Sequence, residues 1–596
     1  MVLAAEATAS GGGGTYAATS LASSGQWSAG GSSGAFTYSY PISVPDVPGS
    51  LTPSVSLDYS SQAVDGRTSS TNAQSSWIGD GWDYSPGFVE RSYASCSDDS
   101  ANGTPKTSDE CWSDDVDTLT LSLNGSSNTL VHDTTSGAWH PQSDNGEKIE
   151  VKTDTVNGDN DNEYFVVTTA DGAKYYFGRN RLPGWTTGAA TTNSVFTTPV
   201  YGNDTGEPCH AATFADSWCQ QGYRWNLDYS VDAHGNAISY WYTPETGYYG
   251  RDNSTTPTTY SRGGYLSKIQ YGQLDGKVYD STAPAAAQVF FDTSERCLAD
   301  SGFDCASSKM TTANASHWPD VPVDQVCPSS GTCDNHGPAF FTTQRLTGIR
   351  TQVLVGTAYK DVDAWTLTHT FPPTGDTTTP SLWLSQIVHT GKDGGSLDLP
   401  PVKFAGQALA NRVDGLDGYQ PITRYRITTV TTESGEVITA NYTGPQCHRT
   451  GTAVLPSSQD DNNLRCYPQY WTPPGQTSPQ LDWFNKFVVN SVTAQDPTGD
   501  GLPVQTSYKY IGDPAWHYND DPLTQAKYRT WNQWRGYGTV ETRTGTSPAT
   551  ITLSRETFHF GGSISDNGTS GNAIRGIAAD NPLLNTCMDA ATEMFG

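Results

Sequence analysis

The feature that most constrains the fold is a succession of short β-rich runs separated by tight-turn signals. Thr118–Leu123 and Thr129–His132 flank Asn124-Gly125, and a second pair of such runs flanks Asp171-Gly172. Asn-Gly and Asp-Gly tolerate the positive φ angles of a two-residue turn, so they are the strongest short-range hairpin signal. The sequence therefore predicts antiparallel hairpins.

From about Arg224 onwards a looser repetition follows, in which a β-rich run, a glycine-containing turn and a second run with aromatic residues succeed one another. A length of 596 residues predicts three to five domains or one long repetitive array. One such unit can bury one face only when the next unit stacks on it. We therefore predict an all-β fold of antiparallel strands and hairpins, stacked in a spiral, shell-like array. The units lie at Tyr229–Tyr242, Gly264–Tyr271, Arg345–Val355, Leu384–Gly394, Arg426–Tyr442 and Phe487–Tyr508.

The charge balance disfavours nucleic acid and anionic membranes as partners. The chain has 62 acidic and 33 basic side chains, a formal net charge of -29, and no basic cluster. Such a surface repels phosphate groups. No window approaches the ~20 consecutive apolar residues that a membrane-spanning helix needs, so we predict no transmembrane segment.

Ten of the eleven cysteines form neighbouring pairs in the sequence, and Cys587 is left over. The pairs are Cys96 with Cys111, Cys209 with Cys219, Cys297 with Cys305, Cys327 with Cys333, and Cys447 with Cys466. Five local disulfides would indicate a secreted or cell-surface protein in an oxidising compartment, and each would contribute on the order of 2–3 kcal/mol. Pairing of Cys297 with Cys333 and of Cys305 with Cys327 is an open alternative.

The same cysteines disfavour a metal site. No Cys-x-x-Cys motif occurs, the spacings are irregular, and the histidines are scattered. We therefore predict neither a metal nor another cofactor. Residues 1–9 lack the positive start and the long apolar stretch of a signal peptide, but their small residues fit the stub that remains after cleavage.

Changes in composition predict four segments. Residues 1–33 are rich in Gly and Ser and are expected to form a flexible leader. We expect an N-terminal β domain at 34–223 and a degenerate repeat array at 224–557. A divergent tail at 558–596 is expected to end in a short helix, Asn581–Gly596, which carries Cys587.

Three consecutive stretches resemble a known family. Gly34–Pro45, Gly49–Ser61 and Gly79–Trp82 are similar to the opening of the SpvB-type N-terminal domain, found in insecticidal toxin-complex B subunits and actinobacterial RHS proteins. Asp232–Asn236 resembles a YD repeat, and Trp534–Val540 is similar to a motif that precedes the long RHS array. The resemblance covers about residues 34 to 545.

This resemblance implies a spiral β-sheet shell that encloses a C-terminal effector in a secreted polymorphic toxin. It implies a toxin passenger as partner and no catalysis by the shell itself. The sequence contains no terminal RHS core repeat, no self-cleaving aspartyl-protease segment and no effector domain after them. We therefore expect a fragment, a truncated product or a family member with another role.

The sequence contains no Gly-x-Ser-x-Gly elbow, His-Glu-x-x-His helix or phosphate-binding loop, which disfavours common hydrolases and nucleotide enzymes. A glycosidase needs only two carboxylates and aromatic platforms, which have no local signature. We interpret the candidates mainly as solvated turn acids beside core aromatics. The candidates are Asp114, Asp115 and Asp117 beside Trp112, and Asp228 and Asp232 beside Trp225.

Two further patterns have a functional and a structural interpretation. Asn157–Glu163 places oxygen ligands at alternate positions, as calcium loops do, but lacks the closing Glu, so an acidic hairpin turn is favoured. The 17 Trp and 31 Tyr residues could stack on a cell-surface glycan, although such rings more commonly fill sheet cores. The alternative function is therefore an extracellular carbohydrate-active protein, either a glycan-binding module or a glycosidase.

Overall fold

The computed structural model describes residues 23–69, 74–98, 105–113, 118–133, 135–143, 146–413, 417–498, 501–521, 524–545, 551–558 and 574–575. In these residues the chain is almost entirely β, with one short α-helix, α1 (Ser61–Asp65). None of the helices in that part of the chain is long and apolar enough to cross a membrane. The 3-10 helices are Phe214–Asp216, Arg251–Asn253, Ser307–Lys309, Thr312–His317, Val323–Gln325 and Ala526–Tyr528.

The first sheet is small and antiparallel, with the strand order β1-β2-β3-β4. Alternation sets its buried face, because Phe36, Tyr38 and Tyr40 of β2 are buried while the residues between them are partly exposed. We call this sheet and α1 the N-terminal sheet. Its strands are β1 (Gln26–Gly30), β2 (Ala35–Pro41), β3 (Ser56–Ser60) and β4 (Trp82–Asp83).

Eight of the next strands close into a ring in the order β5-β8-β9-β10-β11-β12-β13-β15. The predicted hairpin around Asn124-Gly125 is confirmed, since β8 and β9 pair across it and both turn residues have positive φ. The strands are β5 (Gly87–Ser92), β6 (Ala94–Ser95), β7 (Glu110–Cys111), β8 (Thr118–Leu123), β9 (Ser126–Asp133), β10 (Ala138–Pro141), β11 (Lys148–Lys152), β12 (Tyr164–Thr168), β13 (Lys174–Phe177), β14 (Val195–Tyr201) and β15 (Trp218–Val231).

From β15 the sheet continues as a long antiparallel ribbon in the order β15-β16-β17-β18-β19-β20-β21-β23-β24-β25-β28-β29-β30-β31. The predicted boundary at 223–224 falls inside β15, which pairs with ring strands and also with β16. The strands are β16 (Asn236–Gly250), β17 (Pro257–Leu274), β18 (Ala287–Glu295), β19 (Gln344–Val355), β20 (Ala358–Thr370), β21 (Trp383–Gly391), β22 (Leu397–Asp398), β23 (Val402–Ala410), β24 (Thr423–Thr431), β25 (Val437–Tyr442), β26 (Cys466–Trp471), β27 (Gln480–Asn485), β28 (Val489–Gln495), β29 (Val504–His517), β30 (Gln533–Thr544), β31 (Thr552–Thr557) and β32 (Ile574–Arg575).

The two rims of the ribbon differ in their connections. Short turns at 232–235, 356–357 and 432–436 join strands at one rim. Long loops at 296–343 and 443–488 emerge at the opposite rim, which we call the loop rim. Strand direction alternates along the ribbon, so every second connection returns to the same rim.

Five disulfides lie within the described part of the chain, all at the loop rim. The predicted fold class, all-β and antiparallel with local disulfides, is therefore confirmed. A local cross-link limits the conformations of the unfolded loop and so favours the folded one. The disulfides are Cys96–Cys111, Cys209–Cys219, Cys297–Cys305, Cys327–Cys333 and Cys447–Cys466.

The buried face of the N-terminal sheet and the inner face of the ribbon form one continuous hydrophobic core. The ring of Phe404 in β23 lies 4.9 Å from Trp82 and 5.6 Å from Tyr38, measured between centroids. The backbone N–H of Ile427 in β24 donates to the Tyr59 hydroxyl at 3.0 Å. The ribbon therefore packs directly on the N-terminal sheet, and the two share one core.

Backbone hydrogen bonds to residues 32–80 are distributed along the ribbon. Leu346 N–H donates to Trp77 O, Asp80 N–H to Leu382 O, Val489 N–H to Gly34 O, and Tyr537 N–H to Ser32 O. These contacts involve strands or adjoining loops from β19 to β30. The ribbon thus curves around the N-terminal sheet, and this chain's own residues fill its inner face.

The predicted leader and tail fall partly outside the described residues. Within the predicted leader, Gln26–Gly30 forms β1 and pairs with β2, and Trp27 and Ala29 pack against the core. The Gly/Ser-rich composition does not indicate this strand, because only two of its side chains make apolar contacts with the core. Residues 1–22 of the leader and the predicted helix Asn581–Gly596 with Cys587 lie outside the described residues.

Candidate functional site

Asp228 and Asp232, considered above as acids of a glycosidase, do not form a catalytic pair. Asp228 of β15 is fully buried, and its Oδ2 accepts hydrogen bonds from Asn180 N–H at 2.6 Å, Thr192 Oγ1 at 2.8 Å and Ser194 Oγ at 2.7 Å. Burial raises the pKa of Asp228 to about 6, although these hydrogen bonds oppose the shift. Asp228 therefore holds the 180–194 segment against β15.

The second acid of that pair, Asp232, shapes a turn. Its carboxylate accepts hydrogen bonds from the backbone N–H groups of His234 and Asn236 at 2.9 and 2.8 Å. Trp225 is buried in the core, and its indole Nε1 donates to Glu163 O at 2.8 Å. The structure thus brings these acids to no common cavity. Asp114, Asp115 and Asp117 lie outside the described residues.

The oxygen-rich segment Asn157–Glu163 forms a turn stabilised by its own side chains. Asp159 is buried, and its carboxylate accepts hydrogen bonds from the N–H groups of Asp161, Glu163 and Gly222. The Glu163 carboxylate forms a bidentate pair with Arg91. These oxygens are therefore engaged in hydrogen bonds, as the acidic-turn interpretation requires. Among all described residues, no group of three or more His, Cys, Asp and Glu side chains could hold a metal ion.

A cavity of about 570 Å³ opens where the ring, the ribbon and the N-terminal sheet meet, at the loop rim. Residues of β4 and β5 form one wall, β14 and β15 form another, and β17 with the 340–342 segment closes the third side. Its volume is typical of small-molecule sites. Aromatic rings dominate the lining: Trp77, Tyr84, Tyr93, Phe196, Tyr223, Tyr242, Tyr265, Phe340 and Phe341. We call this the aromatic cavity.

Three tyrosine hydroxyl groups of this cavity donate to backbone carbonyls. Tyr93 OH donates to Gly222 O at 2.7 Å, Tyr223 OH to Ser261 O at 2.9 Å, and Tyr242 OH to Leu227 O at 2.7 Å. Each ring is therefore fixed in orientation, and its hydroxyl proton is already used. At these three positions the cavity consequently presents ring faces rather than hydroxyl donors.

Each guanidinium group in the lining is paired with a carboxylate. Arg91 binds Glu163 with an N–O distance of 2.7 Å, Arg224 binds Glu90 at 2.8 Å, and Arg262 binds Glu245 at 3.2 Å. These pairs neutralise the three cations of the lining.

Two other carboxylic acids of the lining, Asp83 and Glu110, have no ion-pair partner among the described residues. The Asp83 carboxylate accepts one hydrogen bond, from the Tyr84 backbone N–H at 2.9 Å. Burial, with a further contribution from neighbouring Asp109, raises the pKa of Glu110 to about 8. Burial raises the pKa of Asp83, and the nearby Arg224 guanidinium opposes this rise.

The long loop 296–343 forms the outer wall of the aromatic cavity. Phe341 N–H donates to Arg262 O at 3.0 Å, and Tyr260 OH donates to Ala339 O at 2.7 Å. The Phe340 ring packs edge-on against Tyr223 with centroids 4.8 Å apart. Two disulfides lie within this loop, so its shape depends on covalent cross-links.

Sequence reasoning missed this cavity and its acids. Glu110 directly precedes Cys111 in β7, which pairs with β14, and β14 in turn pairs with the ring strand β15. Asp83 comes from β4, far away in sequence from the β17 residues of the cavity. The one usable signal was the position of Glu110 next to a predicted disulfide cysteine.

Buried ion pairs also hold the N-terminal sheet against the ribbon. Asp65 of α1 binds Arg426 of β24 at 2.6 Å and Lys486 at 2.8 Å. Arg296 binds Asp320 at 2.7 Å and donates to Ser75 O at 2.9 Å. The contacts of Asp65 with Arg426 and of Arg296 with Ser75 join residues 361 and 221 positions apart, so they fix the N-terminal residues inside the ribbon.

Comparison with known proteins gives structural similarities only. No protein-family model and no curated protein sequence matches the chain. It resembles TcdB2-TccC3, with a TM-score of 0.38 and 12% identity over 91% of this chain and 31% of that one. It therefore spans under a third of that chain's length.

Two other solved structures are similar. The N-terminal domain of effector protein SpvB from Salmonella typhimurium strain LT2 gives a TM-score of 0.31 and 15% identity over 59% of this chain and 98% of that one. A mutant Photorhabdus luminescens Tc holotoxin pore gives a TM-score of 0.36 and 13% identity over 89% of this chain and 26% of that one.

Proposed function

We propose that this chain is the non-catalytic N-terminal shell portion of a secreted RHS/YD-repeat toxin and that it acts by encapsulation. The observation that carries the proposal is the continuous ribbon from β15 to β31, in which each strand pairs with the next around the N-terminal sheet. Such a wall depends on shape, cross-links and burial, and it needs no reactive group. The resemblance of Gly34–Pro45, Gly49–Ser61 and Gly79–Trp82 to SpvB-type domains supports the same role.

The last long strand supports continuation of this wall by further strands. All six residues of β31 are exposed, and only β30 pairs with it among the described strands. An unpaired strand edge presents backbone donors and acceptors to another strand. Exposed apolar side chains lie nearby, with Leu553 58% exposed and Val504 51% exposed. In the proposal, a following strand covers this edge.

The arrangement of the core suggests which part of the proposed shell each segment of the chain forms. The N-terminal sheet occupies the inner face of this ribbon. A toxin passenger would therefore lie beyond this segment, against later parts of the wall. In the proposal, residues 34–223 close one end of the shell and residues 224–557 begin its wall. Five disulfides suit an extracellular shell, because they persist in oxidising compartments.

Capture of the natural protein tests this proposal. An antibody against this chain is used to isolate the protein from the medium of the organism that produces it. We expect a second polypeptide segment, covalently continuous or tightly associated, that resists trypsin until the sample is denatured. Intact mass and peptide mapping identify that segment, and trypsin digestion of the denatured sample is the control. Recovery of this chain alone, with no protected polypeptide, contradicts encapsulation.

A glycan array distinguishes the carbohydrate-active alternative. A shell segment predicts no selective retention of any oligosaccharide, since its role requires no glycan. Selective retention on the array, together with an absent passenger, favours the alternative.

A further inference from the structure

A row of alternating charge crosses the last three long strands of the ribbon and ends on the edge strand β31. Lys509 of β29 lies directly opposite Glu541 of β30, and Glu541 lies directly opposite Arg555 of β31. Opposite charges on directly paired residues stabilise a sheet, whereas like charges destabilise it. The row is therefore positive, negative and positive, and its last member lies beside the edge of β31 that no described strand covers.

Arg555 retains the capacity to bind a second carboxylate. Its Nε donates to Glu541 Oε1 at 3.1 Å, and its Nη2 donates to the same oxygen. The side chain is nevertheless 62% exposed. A guanidinium group has five N–H donors in a planar fork, so two contacts with one oxygen leave donors for another acid.

The neighbouring side chains of β31 define what a further strand would need. Side chains alternate between the two faces of a strand, so Leu553 shares a face with Arg555, and Ser554 shares the other face with Glu556. All of them are exposed. A complementary antiparallel strand therefore has an acid opposite Arg555, a base opposite Glu556 and an apolar residue opposite Leu553.

We propose that the free edge of β31 binds an antiparallel strand with this complementary pattern. The proposal rests on the shell function proposed above, in which the occupant is the first strand of the wall segment that follows. Backbone hydrogen bonds along the edge would supply affinity, as in other cases of strand addition. The acid opposite Arg555 would extend the charge row and fix the register, because a slip by one residue exchanges the faces of the strand.

A second copy of this chain fits the edge less well. When two identical strands pair antiparallel about a two-fold axis, each residue lies opposite one from the same face. Arg555 and Glu556 lie on opposite faces of β31, so they cannot pair with each other across such an axis. A pair of β31 strands consequently gains no contact between opposite charges, which favours a strand of different sequence.

Saturation-transfer NMR titrations of the oxidised full chain test this proposal with two end-capped peptides of equal composition. Thr-Lys-Glu-Thr-Val-Thr, aligned antiparallel to β31, places Glu opposite Arg555 and Lys opposite Glu556. Thr-Glu-Lys-Thr-Val-Thr places like charges at both positions. We expect the first peptide to bind at least about fivefold more tightly at low salt, and the difference to shrink towards about 1 M salt. Methylation of its backbone nitrogens should abolish binding, because the edge then loses its hydrogen bonds.

Two variants test the side chains that are held responsible. Arg555→Gln should reduce the preference to about twofold or less, because one of the two charge pairs is lost. Glu556→Gln should do the same and leaves the contact of Arg555 with Glu541 intact, so it serves if the first variant unfolds. Lys403→Gln is the matched control, since Lys403 is an exposed cation on β23 at a position that pairs with strands on both sides.

Equal binding of the two peptides, no binding of either, binding that survives methylation, or an unchanged preference in both variants overturns the proposal. A dimer of the chain that Leu553→Lys dissociates also overturns it and identifies a second copy as the occupant. These results are separable from the trypsin test of encapsulation. A protected polypeptide without a peptide preference rejects only the β31 partner, whereas a peptide preference without a protected polypeptide rejects only encapsulation.

Discussion

Asp65→Ala is expected to lower the free energy of unfolding by about 3–5 kcal/mol, because it leaves two buried cations without their partner. The Asp65 side chain is 3% exposed, and its Oδ1 accepts hydrogen bonds from Nε and Nη2 of Arg426 at 3.1 and 2.6 Å. Lys486 Nζ lies 2.8 Å from Oδ2. Arg426 is fully buried and Lys486 nearly so, which prevents water from replacing the lost carboxylate.

Guanidinium-induced unfolding, followed by tryptophan fluorescence, measures this loss. Asp58→Asn is the matched control, since Asp58 lies in the same N-terminal sheet but is exposed, and exposed substitutions usually change stability by about 0.5 kcal/mol or less. A loss for Asp65→Ala that is no larger than the control's would contradict the role given to this ion cluster.

His369 is expected to make the fold sensitive to acid. Its Nε2–H donates to Ile78 O at 2.9 Å, and Arg345 Nη1 donates to Nδ1 at 3.4 Å, so the ring is held neutral. Burial, with the nearby guanidinium of Arg345, lowers the pKa of His369 to about 3. The unfolded chain therefore binds a proton that the folded chain does not, between about pH 6.5 and pH 3. Above that range His369 does not reduce the free energy of unfolding. As the pH falls through the range, the free energy of unfolding decreases, by about 4 kcal/mol at pH 3.

His369→Gln tests this acid sensitivity, because Gln can donate to Ile78 O and accept from Arg345 without titrating. Unfolding free energies measured from about pH 7 to pH 3 should diverge in favour of the variant by roughly 1.4 kcal/mol per pH unit below about pH 6. His234→Gln is the control, since His234 is exposed in a turn. Parallel pH curves for wild type and His369→Gln would show that His369 is not buried as described.

The hairpins could be predicted from the sequence because their determinants are local. The turn at Asn124-Gly125 requires positive φ at both residues, and the two residues adopt φ values of 52° and 77°. Alternation along Ala35–Pro41 likewise identifies the buried face of β2 without reference to any partner. Strand type and antiparallel pairing thus follow from turns and periodicity.

The packing of the N-terminal sheet inside the ribbon could not be predicted in the same way. It depends on contacts such as Asp65 with Arg426, whose separation of 361 residues carries no local signal. In the sequence, a buried Arg within a polar run cannot be distinguished from an exposed Arg unless its partner is known. The same reason hid the aromatic cavity, because β4, β7, β15 and β17 meet there only in three dimensions.

The central claim is that the ribbon and the N-terminal sheet share one core, and hydrogen–deuterium exchange of the intact oxidised chain tests it most directly. The structure predicts that amides of β2 (Ala35–Pro41) and β24 (Thr423–Thr431) open together, with protection that agrees to within about 1 kcal/mol. Asp65→Ala should lower the protection of both strands equally. Exchange in β2 that is about 100-fold faster than in β24, a difference of about 2.7 kcal/mol, would mean that the sheet unfolds independently and would contradict this account.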